Sequence, residues 1–387
     1  MISENFTTLP IPLQYSEPNG LRYFRLFLFG LITVGSLLGN TIVVRSITSI
    51  AYRKPFTYHM VTCLATAELV SSLLLPFILI YEEAQTWPFG ETMCHLVSPG
   101  QITAGLVVTW SLAIISIHRY RSLANYQQFV FGRFQNWVIG LMWASATLIT
   151  FPSYLYSTLV KSPYDNVKYW CLVMFEGDTL KTFPSQSYMT YLLFRFAVTY
   201  IIPVLTMLTS YGSIGLKLKY HMSANHCCES QQTVHTSVSG FELAAVNKTE
   251  TSRPGDDVTG TENPGQPMEV HDGGVPRGSS QDDGSPLARG KVLIELEQDL
   301  LRMIYVIVLI FIVCYFPYQL FFLLEYFQVL SFTNWKYFEV TRKFIFLTTC
   351  FPSALHPLCY GTMSKFYGKA FSAIILCKKD RRVTQLA

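Results

Sequence analysis

Charged residues are scarce in this chain of 387 residues: Asp, Glu, Lys and Arg make up 14% of it, against about 25% in soluble domains. Half of the residues are hydrophobic. The sequence also contains no cluster of metal ligands, no glycine-rich phosphate loop and no nucleophile elbow, so we predict that the protein is not an enzyme and has no cofactor. These absences exclude most soluble classes and predict a membrane protein.

Seven hydrophobic segments are long enough to cross a bilayer as helices, which takes about 20 apolar residues. Five of them contain no Asp, Glu, Lys or Arg, while the second contains Glu68 and the fifth contains Arg195. The segments comprise residues 26–44, 60–81, 94–117, 134–160, 182–216, 303–324 and 344–364. The sequence therefore predicts an all-α membrane protein.

Basic residues beside these segments predict the orientation. Arg53 and Lys54 follow the first segment, and several lysines and arginines follow the seventh, whereas the loop after the second segment carries glutamates. Basic ends prefer the cytoplasm, so we expect an extracellular N-terminus and a cytoplasmic C-terminus in the plasma membrane. The net charge of +4 reflects this orientation and not nucleic-acid binding. Asn5-Phe6-Thr7 is then an extracellular glycosylation sequon.

Residues 222–290 differ from the rest because Gly, Ser, Thr, Asp, Glu and Pro dominate them. Such a segment buries too little apolar surface to offset its chain entropy, so we predict a disordered third cytoplasmic loop. The predicted organisation is an extracellular N-terminus at 1–22, transmembrane helices 1 to 5 with their loops at 23–221, this loop at 222–290, helices 6 and 7 at 291–363, and helix 8 with the cytoplasmic tail at 364–387.

Motifs at fixed places in these segments resemble those of a known family. The third segment begins at Cys94 and is followed by His118-Arg119-Tyr120, and the seventh contains His356-Pro357-Leu358-Cys359-Tyr360. Further matches are Gly39-Asn40, Trp87-Pro88-Phe89-Gly90, Trp143, Pro203 with Tyr211, and Phe311 to Pro317. In this order they resemble rhodopsin-like G-protein-coupled receptors over almost the whole chain. The resemblance implies a seven-transmembrane helix bundle with a short interfacial eighth helix.

The predicted topology and the resemblance together indicate which cysteines form a disulfide. Of the nine cysteines, Cys94 and Cys171 are the two expected on the oxidising side, and the family joins the third helix to the second outer loop by such a pair. We therefore predict a Cys94–Cys171 disulfide. Cys377 at the end of the interfacial helix is a candidate lipidation site, with an unmodified thiol as the alternative.

The resemblance implies an activation switch at the cytoplasmic ends of helices 3 and 6. In the resting state of such a receptor, Arg119 would pair with Glu297. The adjacent acid of the family is His118 here, so we expect the resting state to be less favoured; the alternative is that packing holds it. The other expected switch residues are Tyr120, Tyr211, Tyr315, Pro317, Pro357 and Tyr360. Glu68 and His356 replace ligands of the family's internal sodium ion, so that site should be weak, and Glu68 should be protonated or paired with His356.

Two residues that the sequence lacks exclude particular classes of ligand. Gln101 stands where amine receptors have an Asp, and helix 7 has no lysine between Lys343 and Lys365 for a retinal Schiff base. Arg195 lies within a span, which is a functional-site hypothesis by default. A rim with charges of both signs and an aromatic floor including Phe316 resembles the sites of peptide receptors. The predicted ligand-binding residues are Gln101, Arg195, Glu82, Tyr315, Glu325, Arg342 and Phe346.

These features predict a receptor that binds an extracellular peptide and transmits the signal to heterotrimeric G proteins. Arrestin and receptor kinases are further expected partners. One alternative is an anionic small molecule or lipid bound by Arg195 and Arg342, and another is a constitutively active receptor without a conventional ligand. A transporter or channel is disfavoured because Glu68 is essentially alone at the midplane, where transport sites usually collect several ionisable residues.

Overall fold

The computed structural model describes residues 17–48, 56–125, 134–162, 167–178, 185–217, 286–327, 329–330, 335–364, 367–368 and 371–372, with only the backbone for 123–125 and 286–300. The predicted glycosylation site Asn5, the lipidation site Cys377, the side chain of Glu297 and most of the predicted third cytoplasmic loop lie outside the described residues. In the predicted eighth helix, 367–368 and 371–372 are helical.

Long helices account for most of the described residues, which confirms the predicted all-α membrane fold. They are α1 (Asn19–Thr48), α2 (Phe56–Ala84), α3 (Gly90–Asn125), α4 (Phe134–Tyr156), α5 (Gln186–Lys217), α6 (Pro286–Tyr326) and α7 (Phe338–Met363). Six of them, α1 to α6, are long and apolar enough to cross a membrane. Helix α7 has the length, but hydroxyl side chains, His356 and two prolines make it less apolar.

The packing order of the helices positions the candidate site. Helix α2 packs on α3 and α1, α1 packs on α7, and α3 packs on α4. The interior is apolar around residues such as Leu64, Leu112 and Phe311, while large hydrophobic side chains on the outer faces remain exposed, as expected of surfaces that face lipid. Residues Gly215–Ile294 separate as a second unit, of which 215–217 and 286–294 are described and helical.

The predicted end of the fourth span at Val160 is wrong. Helix α4 ends at Tyr156, and the next residues form strand β1 (Ser157–Lys161), which pairs antiparallel with β2 (Tyr169–Val173). A short apolar run cannot be assigned to helix or strand from periodicity alone. Here pairing with the nearby strand β2, which the run itself does not reveal, makes these residues a strand.

Helix α5 contains a wider π-helical turn at Ala197–Ile201, where the Ile202 N–H donates to the Ala197 carbonyl. The turn directly precedes Pro203, which has no N–H and disturbs regular helical pairing on its N-terminal side. The Trp110 indole N–H of α3 donates to the Val198 carbonyl at 3.2 Å. The irregular turn of α5 is thereby bound to α3.

Candidate ligand pocket and switch residues

The predicted disulfide between Cys94 and Cys171 is present, with a Cα–Cα distance of 5.6 Å. It joins the start of α3 to strand β2. The Trp87 backbone N–H donates to the Tyr169 carbonyl at 2.8 Å, and the Tyr169 N–H donates to Thr86 Oγ1 at 2.9 Å. The hairpin is therefore fixed covalently and by hydrogen bonds to the α2–α3 connection. This end of the bundle is termed the disulfide end, and the opposite end the Arg119 end.

Charged groups from three helices meet around Arg342 at the disulfide end. The carboxylates of Glu82 on α2, Glu325 on α6 and Glu339 on α7 lie within electrostatic range of its guanidinium, and Lys343 is within range of Glu82. Arg342 is nevertheless exposed to solvent. The structure thus brings together three of the predicted ligand-binding residues in one cluster of both signs, in which Arg342 is exposed and Glu82 and Glu325 are half-buried.

Arg195 is half-buried on α5, with its guanidinium carbon 5.9 Å from the centroid of the Tyr191 ring. Among the described residues it forms no ion pair. The Tyr188 hydroxyl lies within electrostatic range of Arg195, Glu325 and Tyr318, and Tyr318 is also within range of Arg342. Tyr188 is therefore within electrostatic range of both Arg195 and Glu325 of the charged cluster.

Our sequence reasoning missed Tyr188 and Tyr318. The signal for Tyr188 was its spacing, since residues seven apart on a helix share a face and Arg195 is seven residues further along α5. Tyr318 carried no comparable signal, because it lies within the long uncharged stretch 303–324 of α6.

The remaining predicted pocket residues are held by nearby helices. The Gln101 amide donates to Ser71 Oγ of α2 at 2.8 Å. The Phe346 ring lies 6.1 Å from that of Phe29 on α1, and Tyr315 packs against Phe311 with ring centroids 4.5 Å apart. The prediction of Phe316 as pocket floor is wrong, because this residue is 54% exposed. It continues a lipid-facing stripe of α6 that also contains Leu309, Val313 and Leu320.

A buried arginine near the start of α1 was also missed, since Arg25 was read as the boundary of the first span. Helix α1 begins earlier, at Asn19, and the Arg25 side chain is fully buried. Its Nη2 lies 2.7 Å from Glu17 Oε2 and 2.5 Å from Glu83 Oε1. Arg22, which is about half exposed, contacts the other Glu83 oxygen at 2.6 Å. These four residues form what we term the Arg25 clasp between α1 and α2.

In the interior, Glu68 of α2 bonds to His356 of α7, the pairing that was one of two expectations for Glu68. His356 Nδ1 and Glu68 Oε1 are 2.5 Å apart, and both side chains are buried. Hydroxyl and amide groups from α1, α2 and α7 surround the pair. The Asn40 amide of α1 donates to Ser36 Oγ and to the backbone carbonyl of Ser353 on α7, and Ser72 Oγ of α2 donates to Ser36 Oγ.

At the other end of α3, Arg119 is buried, with 5% of its surface exposed. Tyr211 of α5 lies beside Arg119 and Ser116, as expected of two switch residues. His118 lies within α3 rather than in a loop, and its ring centroid is 4.9 Å from that of Phe56 at the start of α2. The neighbouring Tyr120 is half-buried.

The end of α7 is packed tightly at the same end of the bundle. Tyr360 is 1% exposed, and its ring centroid lies 5.4 Å from that of Tyr367. A Cβ added at Gly39 of α1 would lie 2.5 Å from the Cβ of Pro357, a distance that real contacts do not allow. Glycine is therefore required where α1 and α7 touch. Pro317 lies inside α6, where it interrupts the helical hydrogen bonds.

Known receptors resemble this chain over part or most of its length. It is 23% identical to human cholecystokinin receptor type A over 91% of this chain and 80% of that receptor. It is 27% identical to chicken (Gallus gallus) neuropeptide Y receptor type 2 over 51% of each chain, and 28% identical to the RYamide receptor of Tribolium castaneum over 50% of this chain and 54% of the receptor. The match spans only about half the length of several of these curated relatives.

The family-level match is broader. Residues 39–360 match the family described as "7 transmembrane receptor (rhodopsin family)", a range that runs from the α1–α7 contact at Gly39 to Tyr360 at the end of α7. The match includes the disulfide, the Glu68–His356 pair and the buried Arg119. It covers most of the chain, which agrees with the helix order and the motif positions. The chain belongs to the rhodopsin family of seven-transmembrane receptors.

Proposed function

We propose that this protein is a plasma-membrane receptor that binds a peptide at the disulfide end and activates a heterotrimeric G protein at the Arg119 end. The disulfide end then faces outward and the Arg119 end faces the cytoplasm. The observation that carries the proposal is the cluster of both charge signs around the exposed Arg342, with Tyr188 within electrostatic range of both Glu325 of this cluster and Arg195. The hairpin held by the disulfide lies at the same end.

The balance of charge in this cluster favours a peptide. Arg195, Arg342 and Lys343 supply three positive charges, and Glu82, Glu325 and Glu339 supply three negative charges. A ligand that presents both signs, together with aromatic or amide groups, can pair with such a surface, whereas a purely anionic ligand would meet the carboxylates around Arg342. The named relatives respond, by their names, to neuropeptide Y, cholecystokinin and RYamide peptides, which supports the same class of ligand here.

An anionic small molecule or lipid is the second candidate. It is favoured by Arg195, which forms no ion pair among the described residues. In this case Arg195 alone would carry recognition. A receptor active without a ligand, and a transporter or channel, remain as the further alternatives to be separated by experiment.

The Arg119 end supports coupling to an intracellular partner. Arg119 is buried beside Tyr211, and Tyr360 is buried beside Tyr367, so the polar groups are covered in this state. Movement of α6 or α7 would uncover them for a G protein, and subsequently for arrestin and receptor kinases. Charged or polar groups that become accessible only after a helix moves are a structural means of switching.

The test is expression in cells with measurement of G-protein activation and of membrane current. The panel contains neuropeptide Y, cholecystokinin and RYamide peptides, a wider peptide library, and fatty acids and lysophospholipids. Activation by a peptide supports the proposal, and activation by anionic lipids alone supports the second candidate. The matched control is Arg119→Ala at equal surface level, which should not activate the G protein. Currents without any G-protein activation would establish a transporter or channel instead.

A further inference from the structure

We propose that a groove on the outer face of the bundle binds the acyl chain of a membrane phospholipid. The groove lies between α3, α4 and α5, where Trp110, Ile117, Leu141 and Ile202 are among the residues that line it. We term it the α4 groove. Its lining residues are distinct from those of the charged cluster at the disulfide end. The proposal therefore holds whether or not the protein binds a peptide or activates a G protein.

The position of the α4 groove determines which molecules can reach it. It follows α3 from Trp110 to Ile117, which is about two turns or about 10 Å. At its edges, one large hydrophobic side chain from each helix is exposed: Ile117 on α3, Leu141 on α4 and Ile202 on α5. Exposed apolar surface on a membrane-spanning helix faces lipid. The groove therefore opens into the bilayer, and an occupant enters it from the membrane and not from water.

The walls of the α4 groove are chemically suited to hydrocarbon. Apart from Trp110, Ser145 and Thr206, the lining side chains contain no nitrogen or oxygen atom. Ser145 Oγ and Thr206 Oγ1 donate to backbone carbonyls one turn earlier in their own helices, at 2.6 and 2.8 Å. The Trp110 indole N–H donates to the Val198 carbonyl. Because each polar donor of the wall is already used, the best occupant is one without a hydrogen-bonding group.

The depth of the α4 groove distinguishes it from an ordinary lipid-facing surface. Its volume is about 320 Å³, roughly twice that of an engineered cavity that holds benzene. The buried residues Ala113 and Met142 line its inner wall, so a chain inside contacts three helices and not one convex face. Dispersion contacts decide between apolar surfaces in a membrane, and an empty groove loses them. A chain in the groove should therefore be held more tightly than the lipids around it.

A phospholipid fits the position of the α4 groove better than a sterol. The groove ends at Ile117, directly before His118 and Arg119. A phospholipid in the leaflet at the Arg119 end can extend one chain from there along α3 to Trp110. The flexible chain can bend to follow walls that belong to three helices, whereas the fused rings of a sterol are rigid. The sterol is the alternative occupant that the test must separate.

The bound chain should also support α5 where this helix is irregular. Pro203 lines the α4 groove directly after the π-helical turn at Ala197–Ile201. Trp110, another lining residue, bonds to that turn at Val198. A chain in the groove packs against both residues, and any molecule that binds only the folded state stabilises it. We therefore expect occupation of the groove to stabilise the packing of α5 on α3.

The test is photolabelling of the full-length protein in phosphatidylcholine nanodiscs. One sample contains phosphatidylcholine with a diazirine in one acyl chain, and a parallel sample contains diazirine-bearing cholesterol. Mass spectrometry then locates the labelled residues. With the phospholipid probe, residues of the α4 groove should be labelled about fivefold or more above Leu31 and Leu38 on the exposed face of α1, a preference of about 1 kcal/mol. Labelling of the groove no stronger than that of α1 would overturn the site, and labelling by cholesterol alone would overturn the acyl chain as occupant.

Two matched variants assign the labelling to the groove. Ser145→Trp places an indole ring in the groove, whereas Ala144→Trp places the same ring at the neighbouring exposed position of α4. Groove labelling by the phospholipid probe should be lost in Ser145→Trp and kept in Ala144→Trp. Loss in both variants, or in neither, would overturn the assignment.

The thermal midpoint in detergent tests the effect of the bound chain on α5. Added phosphatidylcholine should raise the midpoint of wild type and of Ala144→Trp, but not that of Ser145→Trp, in which the groove is already filled. An equal rise in all three forms would refute the support of α5 by the bound chain. Since these measurements use neither a peptide nor a G protein, their outcome is independent of the proposed function.

Discussion

The two ends of the bundle differ in the specific bonds that the described residues make. At the disulfide end, a covalent bond fixes the hairpin, and the Arg25 clasp joins α1 to α2 through buried ion pairs. At the Arg119 end, the described contacts include a large apolar cluster and packed tyrosine rings, with Arg119 covered among them. Specific bonds keep a ligand site in one geometry, because each requires particular atoms to meet. Apolar packing lets helices shift between alternative arrangements at modest cost.

From this difference we expect the two ends of the proposed receptor to respond differently to substitution. The disulfide end should lose folding or surface expression when its bonds are removed, since few alternatives replace them. The Arg119 end should instead change its basal signal when contacts are altered. The following substitutions test this contrast, from the largest expected effect to the smallest.

Cys171→Ser should have the largest effect. It frees the hairpin from α3 and leaves Cys94 with an unpaired thiol, so we expect most of the receptor to be lost from the cell surface. Surface level is measured by antibody labelling of an N-terminal tag on intact cells. The control is Cys314→Ser, since Cys314 is a free, half-buried cysteine of α6. Normal surface level and ligand response in Cys171→Ser would show that the hairpin is held without the disulfide.

Arg25→Ala should destabilise the folded receptor by about 3 kcal/mol, because Glu17 and Glu83 lose the buried cation between them. The thermal midpoint in detergent measures this. Arg22→Ala is matched to it, as Arg22 contacts the same Glu83 but has a side chain that is 47% exposed, so its loss should cost about 1 kcal/mol or less. Equal midpoints for the two variants would contradict a structural role for the burial of Arg25.

Arg195→Ala should weaken ligand potency about ten- to a hundredfold without lowering the surface level, if Arg195 binds an acidic group of the ligand. Loss of a charge-assisted contact is worth about 1.5–3 kcal/mol. Arg195→Lys should lose part of this, because the planar fork of the guanidinium is absent from lysine. Dose–response curves for the activating ligand measure both. Potency that is unchanged in both variants would assign Arg195 a structural role beside Tyr191.

Gly39→Ala should destabilise the receptor by about 1–3 kcal/mol, since the new methyl group collides with Pro357 and pushes α1 from α7. Gly30→Ala in the same helix is the control, because no atom lies within 4 Å of a Cβ built there. Alanine is also the better helix former, by about 0.5–1 kcal/mol. The thermal midpoint should therefore fall for Gly39→Ala and hold or rise for Gly30→Ala. A shared rise would show that the α1–α7 contact adjusts freely.

The parts of the fold that sequence could predict are those determined by single residues and long runs. Uncharged stretches marked the spans, and the Cys94–Cys171 disulfide followed from topology and resemblance. The hairpin and the Arg25 clasp could not be predicted, because each depends on contacts that form only in the folded chain: β1 pairs with β2, and Arg25 meets Glu83 of α2. A lone arginine next to an apolar run reads as a boundary, and only the approach of Glu17 and Glu83 makes its burial favourable.

The candidate pocket shows the same limit. Glu82, Glu325 and Arg342 were predicted as separate rim residues, and the structure brings them into one cluster. Tyr188 and Tyr318, which lie within electrostatic range of this cluster, have polar tips on apolar rings and so resemble ordinary span residues. Phe316 was assigned to the aromatic floor together with Tyr315 and Phe346, although adjacent residues on a helix point in directions about 100° apart. The prediction placed Phe316 in the right helix but on the wrong face of it.

The smallest effect is expected at His118. An imidazole supplies no negative charge to Arg119, so we predict measurable basal signalling in wild type, a lower signal for His118→Asp and a higher one for Glu297→Ala. An ion pair near water is worth about 1 kcal/mol or less, so the changes should be about fivefold or less.

The His118 ring also packs on Phe56, and Phe56→Leu therefore serves as the control for lost packing. If Phe56→Leu lowers the basal signal as much as His118→Asp, packing and not charge sets the resting state. Basal second-messenger levels equal to those of untransfected cells in wild type and in both charge variants, at matched surface expression, would refute the charge argument.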